Sequence, residues 1–237
     1  MDKFTISENV KSGYEDFYDG ESEWRRLSAV EKVDNIVNLC SAHSHDRILD
    51  IGAGEGSVLA GLANQGFGKE LYALEVSGSA VAAIEERNIT PLIECRVFDG
   101  YNIPYDASRF DLVVLSHVLE HLEYPRRLIQ EAARVGRMIF VEVPLEDNRR
   151  LGMDYRPDKV GHINFYSPRT IRRLLQTCDL EVLSQSVTNF SYPAYRHMFG
   201  SKALLKYLPK ELLLKIAPGR ATRYWTYHCA LICRKRT

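Results

Sequence analysis

Arg47-Ile-Leu-Asp-Ile-Gly-Ala-Gly-Glu-Gly-Ser57 is the stretch that decides the fold. A strand-length run, Arg47–Ile51, leads directly into Gly52, Gly54 and Gly56 and then into helical spacing over Ser57–Asn64. Glycines at a strand-to-helix turn permit positive φ and let a ligand approach the backbone with no Cβ in the way. Working outward, apolar runs of strand length recur at Leu71–Val76, Leu92–Phe98, Leu112–Leu115 and Met138–Val143. Helical spacing is expected at Glu23–Cys40 before them, at Ser79–Arg87 and His117–Val135 between them, and at Pro168–Thr177 after them. Ser167 can cap the last of these, and Pro168 at its first position loses no hydrogen bond. Such alternation of strand and helix predicts a buried parallel sheet. Leu180–Val187 and Tyr224–Cys233 read as two further strands.

The 237 residues, 45% of them apolar, suit a folded single domain. We read residues 1–42 as a helical lead-in, 43–190 as the core, 191–223 as a basic helical insert or lid, and 224–237 as the final strand. Basic and acidic residues both total 31, so net charge alone attracts neither nucleic acid nor membrane. Residues 190–237, however, hold ten Lys and Arg against one acid, Glu211, a net of +9 against −9 for the rest. The five scattered cysteines fit no metal-ligand spacing, and no signal peptide or transmembrane run is visible, which reads as a reduced, cytoplasmic protein.

Three acids end strands at the same edge of the sheet: Asp50, Glu75 and Asp99. Glu75, 21 residues after Gly54, suits the two hydroxyls of a ribose, and Asp99, followed by Gly100, suits an exocyclic amine such as that of adenine. The loop has Ser57 where a third dinucleotide glycine would stand, has no Lys, and carries Asp50 and Glu55. An acidic loop favours a ligand with a cationic group and no phosphates.

In these motifs the chain resembles the class I S-adenosylmethionine-dependent methyltransferases. The resemblance rests on Asp50-x-Gly52-x-Gly54-x-Gly56, Glu75, Asp99-Gly100, Phe110-Asp-Leu-Val-Val-Leu-Ser-His-Val-Leu-Glu-His-Leu122, Val141-Glu-Val-Pro144 and Gly161-His-Ile-Asn-Phe-Tyr-Ser-Pro168. It implies an α/β fold: a Rossmann-like seven-stranded, mostly parallel sheet with helices on both faces and the last strand antiparallel. It implies S-adenosyl-L-methionine as cofactor. Asp50 would help hold its amino end, Gly52, Ala53 and Gly54 would flank its methionine and ribose portion, Glu75 would take the ribose hydroxyls and Asp99 the adenine amine, with Gly56, Val76 and Gly100 as further cofactor-binding candidates. Ser116 or His117 would face the sulfonium. Tyr14, Phe17, Tyr18 and Trp24 are candidates to cover it, since aromatic faces attract cations; packing of the lead-in helix explains them equally well.

Methyl transfer from a sulfonium needs mainly alignment, and a base matters when the acceptor is a hydroxyl. His121 and His162 are the candidate catalytic residues. A helix over 117–135 would put His117, Glu120 and His121 on one face. That cluster is similar to a metal-binding one in ubiquinone-pathway O-methyltransferases, but His117 stands where an acid is expected, so we assign no metal. The expected acceptor is a small or lipid-linked molecule, methylated at oxygen. The insert, with Leu204, Leu205, Leu208, Leu212, Leu213 and Ile216 at helical spacing and Pro209 interrupting, reads as a lid, as peripheral membrane contact through 200–220, or as a polyanion site. No paired aromatic and basic RNA module accompanies it, which argues against nucleic acid. A nicotinamide-dependent oxidoreductase on a related sheet and a non-catalytic binding protein are the alternatives.

Overall fold

The computed structural model describes residues 22–154 and 161–236. In chain order these form α1 (Ser22–Cys40), β1 (Arg47–Ile51), α2 (Ser57–Asn64), β2 (Glu70–Glu75), α3 (Gly78–Glu86), β3 (Leu92–Val97), β4 (Phe110–Ser116), α4 (Pro125–Val135) and β5 (Gly136–Pro144). There follow α5 (Pro168–Gln176), β6 (Leu180–Thr188), α6 (Tyr192–Phe199), α7 (Ala203–Ile216), α8 (Pro218–Tyr224) and β7 (His228–Lys235). The seven strands make one sheet in the order β3-β2-β1-β4-β5-β7-β6. Neighbours pair in parallel except β7, which runs antiparallel to both β5 and β6.

Successive side chains of a strand point to opposite faces, and the two faces have separate cores. On one, Leu49, Val113, Leu115, Ile139 and Val141 meet Leu128, Ile129 and Ala132 of α4 and Ile171 and Leu175 of α5. On the other, Ile48, Leu112, Val114 and Phe140 meet Val33 and Ile36 of α1 and Leu59 and Leu62 of α2. Cys229 and Cys233 lie buried in the first core, as residues of apolar character rather than ligands. Gly61 lets α1 lie against α2, because a Cβ there would stand 2.5 Å from Val33 Cγ2.

The strand order reverses between β1 and β4, and open α/β sheets bind ligands at the carboxyl ends of strands at such a switch point. Gly52 follows β1 there, and Ser116 ends β4 beside it.

Three expectations are corrected. The helix over His117–Val135 does not form. β4 runs to Ser116, His117 takes a left-handed φ of 58°, Leu119–His121 makes a single 3₁₀ turn, and α4 starts only at Pro125. Proline suits a first helical position, and the residue before it is held out of the helical region, here Tyr124 at φ −125° and ψ 63°. The final strand begins at His228, since Pro218–Tyr224 winds into α8. Pro209 does not interrupt the insert: α7 passes through it, giving up one backbone donor on an exposed stretch. Among the described residues, no helix is long and apolar enough to cross a membrane.

Candidate active site

A cavity of about 910 Å³ opens at the switch point. Asp50, Gly52, Ala53, Gly54, Glu75, Val76, Gly100, Ser116, His117, His121 and His162 all line it, so most of the residues singled out from sequence converge on one space. Gly56 and Asp99 do not. Gly56, at φ 84°, caps α2, and its missing Cβ would meet Ile84, Ile89 and Arg87 rather than the cavity. Asp99 is turned back onto its own turn, accepting from the amides of Tyr101 at 3.0 Å and Asn102 at 2.7 Å and from Asn102 Nδ2 at 2.6 Å. Trp24 lines the cavity, 5.8 Å from Phe190 between ring centroids. Tyr14, Phe17 and Tyr18 lie outside the described residues.

Glu75 is buried at the end of β2, accepting from Gly54 N at 2.8 Å and from Val76 N at 2.7 Å. These two amides orient the carboxylate at the end of β2, beside the glycine loop. We expect Glu75→Ala to weaken cofactor binding by about 1.5–3 kcal/mol, roughly 10- to 150-fold. Calorimetric titration checks this, and a change below twofold would place the ribose elsewhere.

Burial pushes the Asp50 carboxyl up to about 7; nearby Lys32 pulls it down and Glu75 adds to the rise. Burial likewise raises Glu120 to about 7 and raises Glu142, and it holds His117 well below the usual imidazole range. Among the described residues, neither Glu120 oxygen has a hydrogen-bond partner, although Oε1 lies 3.3 Å from His117 Nδ1. Glu55, by contrast, is paired with Arg87. The cavity thus holds buried carboxyl groups that a cationic ligand would return to the ionised state.

The linkage of Asp50 has a definite sign. Its ordinary value of 3.8 lies below its folded value of about 7, so between those pH values the folded chain keeps a proton that the unfolded chain has released. This contribution to stability is complete at low pH and falls as pH rises through the window. Asp50→Asn should therefore flatten the fall and raise the thermal midpoint of the ligand-free protein at pH 8 relative to pH 5, as read by calorimetry. An unchanged difference would mean that water reaches the carboxyl.

One side of the cavity is rich in histidine. His162 is buried, with Nδ1 2.7 Å from Glu146 Oε2, and its ring lies 4.8 Å from that of His121. His117 and His228 meet edge to face at 4.5 Å. Ser116 Oγ and Asn35 Nδ2 donate to Glu142 at 2.9 and 2.6 Å. Two groups have ligand atoms all within 4.8 Å of one another and could hold a metal ion: His117, Glu142 and His228, and Glu120, His121 and His162.

Sequence reading overlooked Lys32, Glu142, Glu146 and His228. Lys32 was within reach, since Trp24, Ser28 and Lys32 stand at i, i+4 and i+8 of α1 and all three line the cavity. His228 was hidden by the misplaced start of β7. Glu142 sits in the middle of an apolar strand and Glu146 two residues past Pro144, positions with no periodic signal of their own.

Comparison with known proteins agrees with this geometry. The family profile described as a methyltransferase domain matches residues 23–185. The 27-O-demethylrifamycin SV methyltransferase of Amycolatopsis mediterranei is 27% identical over 55% of this chain and 48% of its own length. The mitochondrial ubiquinone biosynthesis O-methyltransferase of Candida albicans is 26% identical over 53% of this chain and 36% of its own. The chain thus matches less than half the length of these curated relatives. Among solved structures, a Haemonchus contortus phosphoethanolamine N-methyltransferase in complex with S-adenosylhomocysteine shares the fold at TM-score 0.67 and 11% identity, over 98% of this chain and 61% of that one. Because the family profile spans well over half of the sequence, the chain belongs to the methyltransferase domain family, of the class I Rossmann-like kind that uses S-adenosyl-L-methionine.

Proposed function

We propose that this protein transfers a methyl group to a hydroxyl oxygen of a small or lipid-linked acceptor. The carrying observation is the contact between His162 Nδ1 and Glu146 Oε2 at 2.7 Å in the cavity wall. A carboxylate partner fixes the proton on Nδ1, the tautomer in which Nε2 is the basic nitrogen. Bound S-adenosylmethionine supplies an activated methyl on a sulfonium whose leaving group needs no acid. The Gly52–Gly54 loop and Glu75 hold the nucleoside, Asp50 and the aromatic face of Trp24 favour the cation, and His162 takes the acceptor proton as the oxygen attacks. Alignment is the larger share of the work, and well-oriented intramolecular reactions gain about 7–11 kcal/mol from it. The names of both curated relatives specify oxygen chemistry, which supports the choice of oxygen over nitrogen.

A second reading puts a divalent ion on Glu120, His121 and His162, favoured by the two unpartnered oxygens of Glu120. Its activity would be lost on treatment with chelator and restored by added ion, whereas the histidine base works without either. The reading as a whole is tested by calorimetric titration with S-adenosylmethionine, S-adenosylhomocysteine and NAD. Release of S-adenosylhomocysteine is then assayed over matched phenol, alcohol and amine acceptors. Binding of the two sulfur compounds and turnover of hydroxyl acceptors is the expected result. Turnover of amines alone would overturn the oxygen assignment.

A further inference from the structure

α7 carries Leu204, Leu205, Leu208, Leu212 and Ile216 on its outer side, each between 51% and 78% exposed. At about 100° per residue the five fall within about 120° of arc, a continuous stripe rather than scattered apolar residues. The inner side of the helix is already committed. Ala203 is buried, Leu213 and Leu214 pack on the core, Lys210 Nζ donates to the Thr226 carbonyl at 2.9 Å, and the Tyr227 hydroxyl donates to the Lys210 carbonyl at 2.9 Å. The leucines are therefore held outward. An ordinary surface helix turns its polar side to solvent, and a contiguous exposed apolar patch marks an interaction site.

The surrounding charge selects the occupant. Lys206 and Lys215 are exposed on the same helix and Lys202 at its N-cap, with Arg196, Arg220 and Arg223 exposed on the helices either side. The one acid in residues 190–237, Glu211, lies 3.5 Å from Lys215. A second copy of this face would set like charge against like charge. A polynucleotide would neutralise the lysines but leave the leucines in water. An anionic bilayer satisfies both, with acyl chains for the stripe and lipid phosphates for its cationic border.

We propose that α7 is an interfacial helix that seats this protein on anionic membrane surfaces. The helix also grips Thr226, which lines the cavity, so a seated molecule has its cavity wall anchored to the lipid-bound element and is placed to take an amphiphilic acceptor from the bilayer. Seating does not depend on which atom is methylated.

Sedimentation of the full chain with vesicles tests this. The wild-type protein should bind vesicles of phosphatidylglycerol mixed with phosphatidylcholine and bind phosphatidylcholine alone at least about tenfold more weakly. Leu205→Glu combined with Leu212→Glu should lower binding to the mixed vesicles by at least about tenfold. Lys202→Gln combined with Lys215→Gln should lower it by roughly fivefold per charge removed. All four positions are exposed, and unchanged titration with S-adenosylmethionine confirms that the variants remain folded. Absence of binding to the mixed vesicles, or undiminished binding by the leucine variant, overturns the proposal. So does a discrete dimer that the leucine variant dissociates in the absence of vesicle binding, which would assign the stripe to self-contact. Because vesicle binding is read without methyl transfer, its failure leaves the methyltransferase reading untouched, and the reverse holds as well.

Discussion

Gly54→Val should abolish cofactor binding, with a loss of at least about 100-fold in affinity, while the protein still unfolds cooperatively. Gly54 sits at φ 58° in the floor of the cavity, and its amide donates to Glu75 Oε2 at 2.8 Å. A β-branched residue at positive φ is a backbone outlier that costs about 1–3 kcal/mol. Relaxing that strain swings the peptide and breaks the bond that orients Glu75. If the strain is instead borne, the isopropyl group occupies space that the nucleoside needs. Both routes end in lost binding, and 100-fold corresponds to about 2.7 kcal/mol, within reach of strain and exclusion together. Calorimetric titration with S-adenosylhomocysteine beside a thermal melt reads both quantities. An unchanged affinity in a folded variant would remove the glycine loop from the ligand site.

The second large effect is kinetic. His162→Ala should lower kcat toward a hydroxyl acceptor by about 10²- to 10⁴-fold, the range for a positioned base, and leave the affinity for S-adenosylmethionine unchanged. Glu146→Gln should give a smaller fall, because it removes the partner that fixes the imidazole tautomer and leaves the ring in place. The order of the two variants is the informative part. Equal losses with weakened cofactor binding would mean that the pair only holds the loop after residue 160 against the cavity. An unaffected rate in His162→Ala would return the acceptor proton to water and leave catalysis to alignment alone.

Wherever the determining interactions are local, the sequence carried the fold. The Arg47–Ser57 stretch reads as strand, glycine turn and helix because period-2 and period-3.6 patterns and glycine tolerance act within a few residues. The recurring strand and helix segments then leave a parallel sheet as the way to bury both faces. The strand-end acids are a different case. Asp50 and Glu75 were legible and do meet in the cavity, but Asp99 is satisfied by its own turn, a choice between two sets of donors that spacing does not reveal.

The histidine-rich side of the cavity was the least legible part, and the reason lies in the length of its contacts. His117 to His121 resembles a helix locally, yet the turn is held open by donors from far along the chain. Asn164 Nδ2 donates to the Leu119 carbonyl at 3.1 Å and to the Leu122 carbonyl at 2.6 Å, and the amides of Ile163 and Asn164 both reach the Glu120 carbonyl at 2.9 Å. Four hydrogen bonds to carbonyls that a helix would have used internally favour the irregular turn. The sequence by itself determined the sheet, the switch point and the placing of Asp50 and Glu75 at the cavity, since these follow from local periodicity. Only the tertiary structure decided which histidines and carboxyl groups face one another across the cavity, because His117 and His228, His121 and His162, and His162 and Glu146 come from separate segments rather than from neighbours in the chain.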